Sequence, residues 1–527
     1  MVGPPEGTPS QVPYNPPHIE QLLTISAFLY LLPLSSGLFN YVLNAGLLGP
    51  LILGIVFGPE AANILSNDIQ TAFINIGYIG LLLLIFEGGL TTDIALFIRN
   101  LGLSSLVGLT GVGVPIGFSL ILLHFAFDKS LLQAFGAGAA LCSTSLGTTL
   151  ALMSPQMRKT RVGSVLMSAA LLDDIIGLVM AAIILELASN SSSEIPPVAI
   201  IRPIFVSLAF GIFTPAIAIA MRSILRRFAA HFSWTNHLLA SRIQLFFIVL
   251  SLCGFVTAAK FAGTSELFGA YLAGTFLSFV FDGYLTPNVN DGQEPQVPNP
   301  IVTEPRGGLS AKQGNNHKSN LSVDPSSTPR PSSPAPSDDA IPHPTHAAFA
   351  AYITPFLDVF LSPLFFASVG AALPIQSLFS SSSGGVSIGP RVVWRGIVYS
   401  IFMVLTKVAA GVWILVWPSS QNQNTTLPSS NGPQTPTSLQ SDGQNPSKVE
   451  PKRSQSALFL GLALVARGEI ALIVAQLAKP LITGPQHDDE EAFAIVLWAV
   501  LVSTIGGALG VGLLLKSRWW HDGWRGR

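Results

Sequence analysis

The chain has 527 residues, of which 49% are hydrophobic and only 10% are charged, and its mean hydropathy is +0.54. Soluble domains carry about a quarter charged residues, so this composition excludes an ordinary soluble protein and indicates a membrane protein. The formal net charge of −1 gives no basis for a nucleic-acid partner. Both cysteines, Cys142 and Cys253, lie inside apolar runs, where they are poor candidates for a disulfide.

The apolar segments predict thirteen membrane-spanning helices. A crossing helix needs roughly 17–25 apolar residues, and segments near this length recur along the chain. The second and ninth are short for a full crossing. The predicted spans are 21–38, 43–58, 73–92, 101–124, 131–153, 162–187, 198–220, 243–260, 265–281, 352–373, 391–417, 456–478 and 491–515. The expected fold is therefore all-α and polytopic, with the protein embedded in a lipid bilayer.

Basic residues assign a direction to these spans. Nineteen Lys and Arg residues follow odd-numbered spans or lie in the C-terminal tail, and six lie on the other face. Because positive charge collects on the cytoplasmic side of membrane proteins, this bias predicts an N-terminus that is outside or lumenal and a cytoplasmic C-terminus.

Two long polar segments, 282–351 and 418–455, interrupt the apolar pattern. Both are rich in Pro, Ser, Asn and Gly, and neither can bury enough apolar surface to fold alone. We expect disordered cytoplasmic loops that act either as spacers or as regulatory segments. The predicted organisation is an extramembranous segment 1–20, membrane segments 21–281 (including core helices within 101–187), 352–417 and 456–515, the two loops, and a cytoplasmic tail 516–527.

Few charges lie inside the predicted spans, where each one is energetically expensive. They are Glu87, Asp173, Asp174, Lys407, Arg467 and Glu469, with Glu266 near a span end. The motif LLDDIIG (171–177) places Asp173 and Asp174 near the centre of span six. Adjacent helical residues point about 100° apart, so these two carboxylates face different surroundings.

Lys407, in span eleven, is a candidate partner for one of the two aspartates. A static buried ion pair that only fixes helix packing would account for Lys407 and one carboxylate. It would leave the second aspartate as an expensive charge without a role. The pair of adjacent acids therefore favours a functional site over a purely structural one.

Two predicted spans carry polar interruptions. Span five contains STSLGTT (143–149), and span twelve contains Arg467-Gly468-Glu469. Ser and Thr can bond back to their own helix and merely bend it. The alternative is a true break whose freed carbonyls and hydroxyls line a cavity, the setting in which non-helical backbone is tolerated at membrane depth.

These two spans occupy matching places in the chain. Span five is the middle of triplet four to six, and span twelve is the middle of triplet eleven to thirteen. The predicted orientation runs the two triplets in opposite directions. Inverted repeats with two broken crossing helices and a site at mid-membrane are typical of secondary transporters.

Further motifs complete the pattern: GLLGPLILGIVFGP (46–59), GLLLLIFEGGLTTD (80–93), GTSELFGAYLAGTFLS (263–278), LSPLFFASVGAAL (361–373) and ARGEIALIVA (466–475). With STSLGTT and LLDDIIG, and in this order, they resemble the cation/proton antiporter superfamily. The resemblance is to its sodium (or potassium)/proton exchanger family, and within that to the two-aspartate electrogenic sodium/proton antiporters. It covers nearly all of the chain outside 1–20 and the two polar loops.

The resemblance implies roles for five residues. Asp174 matches the carboxylate that binds the cation and the proton. Asp173 matches the aspartate that pairs with a lysine, and Lys407 matches that lysine. Thr144 and Ser145 match residues at the helix break beside the ion.

The resemblance also touches a second group of residues. Arg467 and Glu469 match a pair that is structural or responds to pH in the family. Glu87 and Glu266 stand where many relatives are uncharged, so each either alters ion choice or pairs locally. We count both, with Ser143, as additional candidates for the site.

The expected function is exchange of Na⁺ (or K⁺) for H⁺ by alternating access. Proton and cation compete for one carboxylate, so exchange needs no ATP, no enzymatic activity and no cofactor. The family's fold implies a homodimer, with a dimerisation domain and a six-helix core that slides as an elevator. If Lys407 also releases a proton, transport is electrogenic.

Two alternatives remain open from the sequence. A sodium-coupled organic-anion symporter can share this helix order but needs a larger substrate cavity. A cation channel would need symmetric pore-lining repeats or a filter loop, and neither is evident in the sequence.

Overall fold

A computed structural model of the chain describes residues 16, 18–43, 46–92, 94–144, 153, 157, 160–189, 197–229, 237–281, 344–373, 382–383, 386–387, 389–417, 452–484 and 490–517. Nearly all of these residues are helical. The only strands in these ranges form a two-residue hairpin, β1 (Ser382–Ser383) and β2 (Val386–Ser387). Most of both predicted polar loops lies outside the described residues.

Every predicted span contains helical residues, which confirms the polytopic all-α fold. Nine of the described helical stretches are long and apolar enough to cross a membrane, and four shorter apolar helices supply the remaining segments. The helices are α1 Ile19–Leu43, α2 Leu48–Phe57, α3 Asn67–Leu90, α4 Ile94–Ile121, α5 Leu131–Ala140, α6 Arg161–Ser189, α7 Pro197–Ala229, α8 His237–Ala262, α9 Glu266–Phe281, α10 Pro344–Tyr352, α11 Thr354–Phe356, α12 Ser362–Ala371, α13 Gly389–Ala410, α14 Trp413–Val416, α15 Arg453–Ala463, α16 Glu469–Thr483 and α17 Glu490–Lys516.

The tenth segment begins earlier than predicted. Its helix starts at Pro344, inside the loop predicted for 282–351. Proline is favoured at the first position of a helix, and the alanine-rich residues that follow are good helix formers. A π-helical turn over Leu357–Leu361 joins the early part of the segment to α12, and a second such turn, Leu122–Ala126, extends α4.

The helices separate into two groups by their packing. The first group, which we call the core, contains α4, α5, α6 and α13 to α17. The second group, which we call the scaffold, contains α1 to α3 and α7 to α12. The groups meet chiefly where α6 packs against α7 and α9. The core thus holds predicted spans four to six and eleven to thirteen, which are the two triplets described in the sequence analysis.

Packing inside the core follows the predicted pair of triplets. Helix α4 packs on α6 in the first triplet, and α13 packs on α17 in the second. The middle member of each triplet, α5 and α16, packs against the other. This equivalence is the packing expected of two repeats related by a two-fold axis.

Close glycine contacts hold the scaffold helices together. A Cβ atom on Gly89 of α3 would overlap the carbonyl oxygen of Tyr271, and one on Gly274 of α9 would overlap that of Phe86. Small residues allow helix backbones to approach this closely in a membrane, where apolar burial alone gives no driving force. The α3–α9 crossing therefore depends on both glycines.

This crossing gives a paired test. We expect Gly89→Ala to lower the apparent melting temperature of the purified protein, because overpacking a tight contact costs about 1–3 kcal/mol. Gly88→Ala is the matched control, since a Cβ atom at Gly88 would have no heavy atom within 4 Å. Alanine is the better helix former, so Gly88→Ala should leave stability unchanged or raise it. Equal melting temperatures for the two variants would contradict the close crossing.

Candidate ion-binding site

The first interruption follows α5. Ser130 caps this helix: its hydroxyl accepts from the Gln133 backbone N–H at 3.2 Å, and the Gln133 side chain accepts from the Ser130 N–H at 2.9 Å. After Ala140 the chain turns, and Ser143 and Thr144 are no longer helical. Ser145 lies outside the described residues. Thus the described half of span five ends where its polar cluster begins.

The second interruption separates α15 from α16. Helix α15 ends at Ala463, and α16 begins at Glu469. Gly468 between them has extended backbone (φ −126°, ψ −153°). The predicted span twelve is therefore two half-helices with a non-helical linker. The side chain of Glu469 lies outside the described residues, so its predicted pairing with Arg467 stays a prediction.

The two interruptions cross and bond to each other. The Thr144 hydroxyl lies 3.2 Å from the carbonyl oxygen of Leu464, and Arg467 Nη1 donates to the carbonyl of Ser143 at 2.7 Å. The Thr504 hydroxyl of α17 lies 3.2 Å from the carbonyl oxygen of Arg467 and 2.7 Å from that of Val500. The Arg467 bond satisfies one of the backbone carbonyls that a broken helix leaves without a partner inside the apolar core.

Asp173, Lys407 and Thr144 form a closed triangle beside this crossing. Lys407 Nζ lies 2.6 Å from Asp173 Oδ2 and 2.9 Å from the Thr144 hydroxyl, which lies 2.7 Å from the same Asp173 oxygen. Asp173 and Lys407 are both fully buried. The ion pair predicted from sequence is present, and it joins α6 to α13 and to the end of the α5 segment.

Helix α4 passes beside this triangle with two glycines, Gly108 and Gly111. A Cβ atom on Gly111 would lie 3.4 Å from Lys407 Nζ and 3.5 Å from Asp173 Oδ2, and one on Gly108 would lie 3.4 Å from Asp173 Oδ1. Two glycines thus line the buried charges. Asp173 Oδ1 has no hydrogen-bond partner among the described residues, so the carboxylate is only half satisfied by this set.

Asp174 has different surroundings from its neighbour, as the helical geometry predicts. It is half-buried, whereas Asp173 is sealed from solvent. The Ser143 hydroxyl lies 3.4 Å from Asp174 Oδ1, at the limit of a hydrogen bond. Because Arg467 holds the Ser143 carbonyl, it fixes the backbone that carries this hydroxyl.

Arg467 is the largest fully buried side chain in the described part of the protein. Beyond its bond to Ser143, its Nε and Nη2 atoms have no hydrogen-bond partner there. Among the described side chains, two carboxylates (Asp173 and Asp174) and two cations (Lys407 and Arg467) thus gather around the crossing of the two interruptions.

The two other acidic candidates lie in the scaffold with local partners. Glu87 of α3 accepts a hydrogen bond from the Thr354 hydroxyl at 3.0 Å. Glu266 accepts from the Tyr78 hydroxyl at 3.0 Å and pairs with Lys260 at 2.8 Å. Of the two readings the sequence left open, this geometry favours local pairing.

Sequence reasoning missed two residues of this site. Gly108 and Gly111 were not singled out, although their spacing of three places them on one face of α4.

The chain belongs to the sodium/hydrogen exchanger transmembrane family, whose model matches residues 25–289 and 340–517. It is similar to the high-affinity Na⁺/H⁺ antiporter NhaS3 of Synechocystis, with 30% identity over 138 residues (26% of this chain and 30% of that protein). It is also similar to the Na⁺/H⁺-K⁺ antiporter GerN of Bacillus cereus, with 26% identity over 234 residues (44% and 56%). The matches thus span less than two thirds of each relative's own length.

A solved structure shares the fold. The sodium proton antiporter MjNhaP1 from Methanocaldococcus jannaschii superposes with a TM-score of 0.56 and 15% identity, over 94% of this chain and 99% of that one. At this identity the likeness establishes the architecture alone. The protein is therefore an integral multi-pass membrane protein with the sodium/proton antiporter fold.

The buried pair can be tested through stability. We expect Lys407→Met to destabilise the protein by about 3–5 kcal/mol, because it leaves Asp173 charged and unpaired in the core. Adding Asp173→Asn should recover much of this loss, so the two changes should be strongly non-additive. Thermal unfolding of the single and double variants in detergent measures both effects.

Lys260→Met is the control for that experiment, because Lys260 makes a comparable 2.8 Å contact with Glu266 but its side chain is 69% exposed. Exposed ion pairs contribute little, so we expect almost no change. Simple additivity between Lys407→Met and Asp173→Asn would argue against a coupled buried pair.

Proposed function

We propose that the protein is a secondary active antiporter that exchanges Na⁺ or K⁺ for H⁺ by alternating access. One observation carries the proposal: the adjacent carboxylates of Asp173 and Asp174 lie at a crossing of two interrupted helices, and Asp173 is sealed in an ion pair with Lys407 whereas Asp174 is half-buried. A buried charge cluster that only fixed packing would have no use for the second, more accessible acid.

Asp174 is the residue that would take the proton or the cation in turn. Na⁺ and K⁺ are hard cations that prefer oxygen ligands, and Asp174 has the Ser143 hydroxyl beside it. A protonated carboxyl group cannot bind the cation, so the two ions compete for one site. Each ion crosses only when the other has left, which gives exchange without ATP.

Asp173 and Lys407 act on this site without occupying it. Their 2.6 Å ion pair holds α6 against α13 and fixes the backbone that bears Asp174. Entry of a cation next to the pair disfavours the charge on Lys407, so the lysine can release a proton as the cation binds. Two protons would then move for each cation, and transport would be electrogenic.

The two helix groups suggest the moving parts. The described residues of the charge cluster all belong to the core, and the scaffold helices α7 and α9 pack against the core at α6. We infer that the core slides against the scaffold and that the scaffold forms the interface of a homodimer. The charge bias of the sequence supports a cytoplasmic C-terminus and an outside or lumenal N-terminus.

The organic-anion symporter has less support. A cavity of about 510 Å³ lies between α7, α8 and α9, and its lining is apolar except for Thr214 and Ser251. It includes neither Asp173 nor Asp174 and offers no cation to an organic anion. The charge cluster itself is closely packed, which suits a small ion.

The first test is cation-driven proton flux in proteoliposomes. We expect wild-type protein to exchange H⁺ for Na⁺ or K⁺, and Asp174→Asn to reduce that flux to the level of empty liposomes because no ionisable carboxylate remains to alternate. Asp68→Asn is the matched control, since Asp68 is exposed in the first turn of α3 and should not matter. Full exchange by Asp174→Asn would exclude Asp174 as the site, and wild-type protein inactive with every monovalent cation would overturn the antiporter.

Electrogenicity can be measured in the same vesicles. We expect the wild-type exchange rate to depend on an imposed membrane potential, because unequal charges cross in the two directions. Lys407→Gln should remove this dependence in any remaining exchange, since its side chain carries no proton to release. A wild-type rate that is the same at every potential would instead indicate one-for-one, electroneutral exchange.

A further inference from the structure

Two adjacent hydroxyl groups, on Ser143 and Thr144, face the two adjacent aspartates of α6. The Thr144 hydroxyl lies 2.7 Å from Asp173 Oδ2, and the Ser143 hydroxyl lies 3.4 Å from Asp174 Oδ1. Each hydroxyl thus has a carboxylate of its own. Because the two aspartates have different surroundings, their two hydroxyl neighbours are candidates for two different roles.

The hydrogen and one lone pair of the Thr144 hydroxyl are already in use. A threonine hydroxyl has one hydrogen and two lone pairs, and a lysine ammonium group can only donate. Lys407 Nζ lies 2.9 Å from the Thr144 oxygen and therefore occupies one lone pair. The hydrogen has two acceptors within reach, Asp173 Oδ2 at 2.7 Å and the Leu464 carbonyl at 3.2 Å. Bonds to ionised acceptors are the stronger ones, so the hydrogen points to the closer, charged Asp173.

This arrangement makes the Thr144 oxygen a poor ligand for a monovalent cation. A cation at its remaining lone pair would lie beside the Lys407 ammonium group, and like charges repel each other strongly in a low-dielectric interior. The Ser143 hydroxyl instead lies next to the half-buried Asp174, which is the carboxylate that takes the ion under the proposed function. Of the two hydroxyls, Ser143 is therefore the one that suits the cation.

We propose that the two hydroxyls have separate tasks: Thr144 is a positioning residue of the Asp173–Lys407 pair, and Ser143 is a ligand of the transported cation. This inference rests on the proposed function, and it departs from the role that the family resemblance implies for Thr144. Thr144 accepts from the ammonium group and donates to the carboxylate, so it closes the triangle that holds α6 against α13. It acts on the ion only through that pair.

The first test is the kinetics of cation-driven proton flux by the full-length protein in proteoliposomes. We expect Thr144→Val, which keeps the side-chain shape, to lower Vmax about tenfold and to leave KM for the cation within about twofold, because the pair is disturbed while the cation keeps its ligands. Ser143→Ala should instead raise KM about three- to tenfold, because one oxygen ligand is lost. Thr144→Ser keeps the hydroxyl and should restore most of the wild-type Vmax.

Thr406 gives a matched control on α13. It is a buried threonine next to Lys407 in the sequence, but its hydroxyl donates to the Met403 carbonyl of its own helix at 2.8 Å. Thr406→Val should therefore keep the wild-type Vmax and KM. The division of tasks would be wrong if Thr144→Val raised KM, if Thr144→Val had the kinetics of the Thr406→Val control, or if Ser143→Ala kept the wild-type KM.

Thermal unfolding in detergent tests the position of Thr144 without any transport. We expect Thr144→Val to lower the apparent melting temperature by about 2–4 °C, because a hydrogen bond to a charged group is lost. When Asp173→Asn and Lys407→Met are already present, only a neutral partner remains, so the loss should fall to half or less. An equal loss in both backgrounds would mean that Thr144 acts on packing alone and would overturn its assignment to the pair.

The two experiments separate this inference from the proposed function. A wild type that exchanges no monovalent cation would remove the antiporter proposal and, with it, the ligand role of Ser143. The unfolding measurements would still decide whether Thr144 belongs to the pair. An active wild type, an inactive Asp174→Asn variant and a raised KM in Thr144→Val would leave the antiporter intact and remove only the division between the two hydroxyls.

Discussion

The fold depends on how two interrupted helices satisfy their own backbone inside an apolar core. A break at membrane depth exposes carbonyl groups that no water is there to solvate, and each would be costly if left alone. Arg467 donates a hydrogen bond to one of these carbonyls, at Ser143, and the Thr144 hydroxyl lies 3.2 Å from another, at Leu464. A side chain from each break therefore lies against the backbone of the other.

Because Arg467 supplies this hydrogen bond, the break brings a positive charge into the interior of the core. Neighbouring helices must then accommodate that charge. The buried Arg467 and Lys407 need negative charge nearby, which α6 supplies through Asp173 and Asp174. Helix α4 must then be glycine-rich where it passes this cluster, because Gly108 and Gly111 lie against the carboxylate and the ammonium group. One electrostatic requirement thus explains sequence features on three separate helices.

The sequence was informative about the features that follow from composition and spacing. Thirteen apolar segments, the break at Arg467-Gly468-Glu469 and the pairing of Lys407 with one of the two aspartates were predicted, because a bilayer makes an apolar length or a buried charge conspicuous. The choice of Asp173 as that partner came from the family resemblance. The early start of the tenth segment at Pro344 was not predicted, since a short alanine-rich helix beside a polar, proline-rich segment lacks the length of a span. Gly108 and Gly111 were missed because a glycine of this kind gains its role only from what lies opposite it in space.

Surroundings in space also explain why Asp173 and Asp174, which are identical and adjacent in sequence, differ in their accessibility. One helical step of about 100° turns Asp173 towards Lys407 and Thr144, which seal it. It leaves Asp174 half-buried, with the Ser143 hydroxyl 3.4 Å from its carboxylate. A carboxylate that is sealed in a buried ion pair cannot readily exchange its partner, whereas a more accessible carboxylate can. Under the proposed function, this accessibility of Asp174 is what allows a proton and a cation to occupy it in turn.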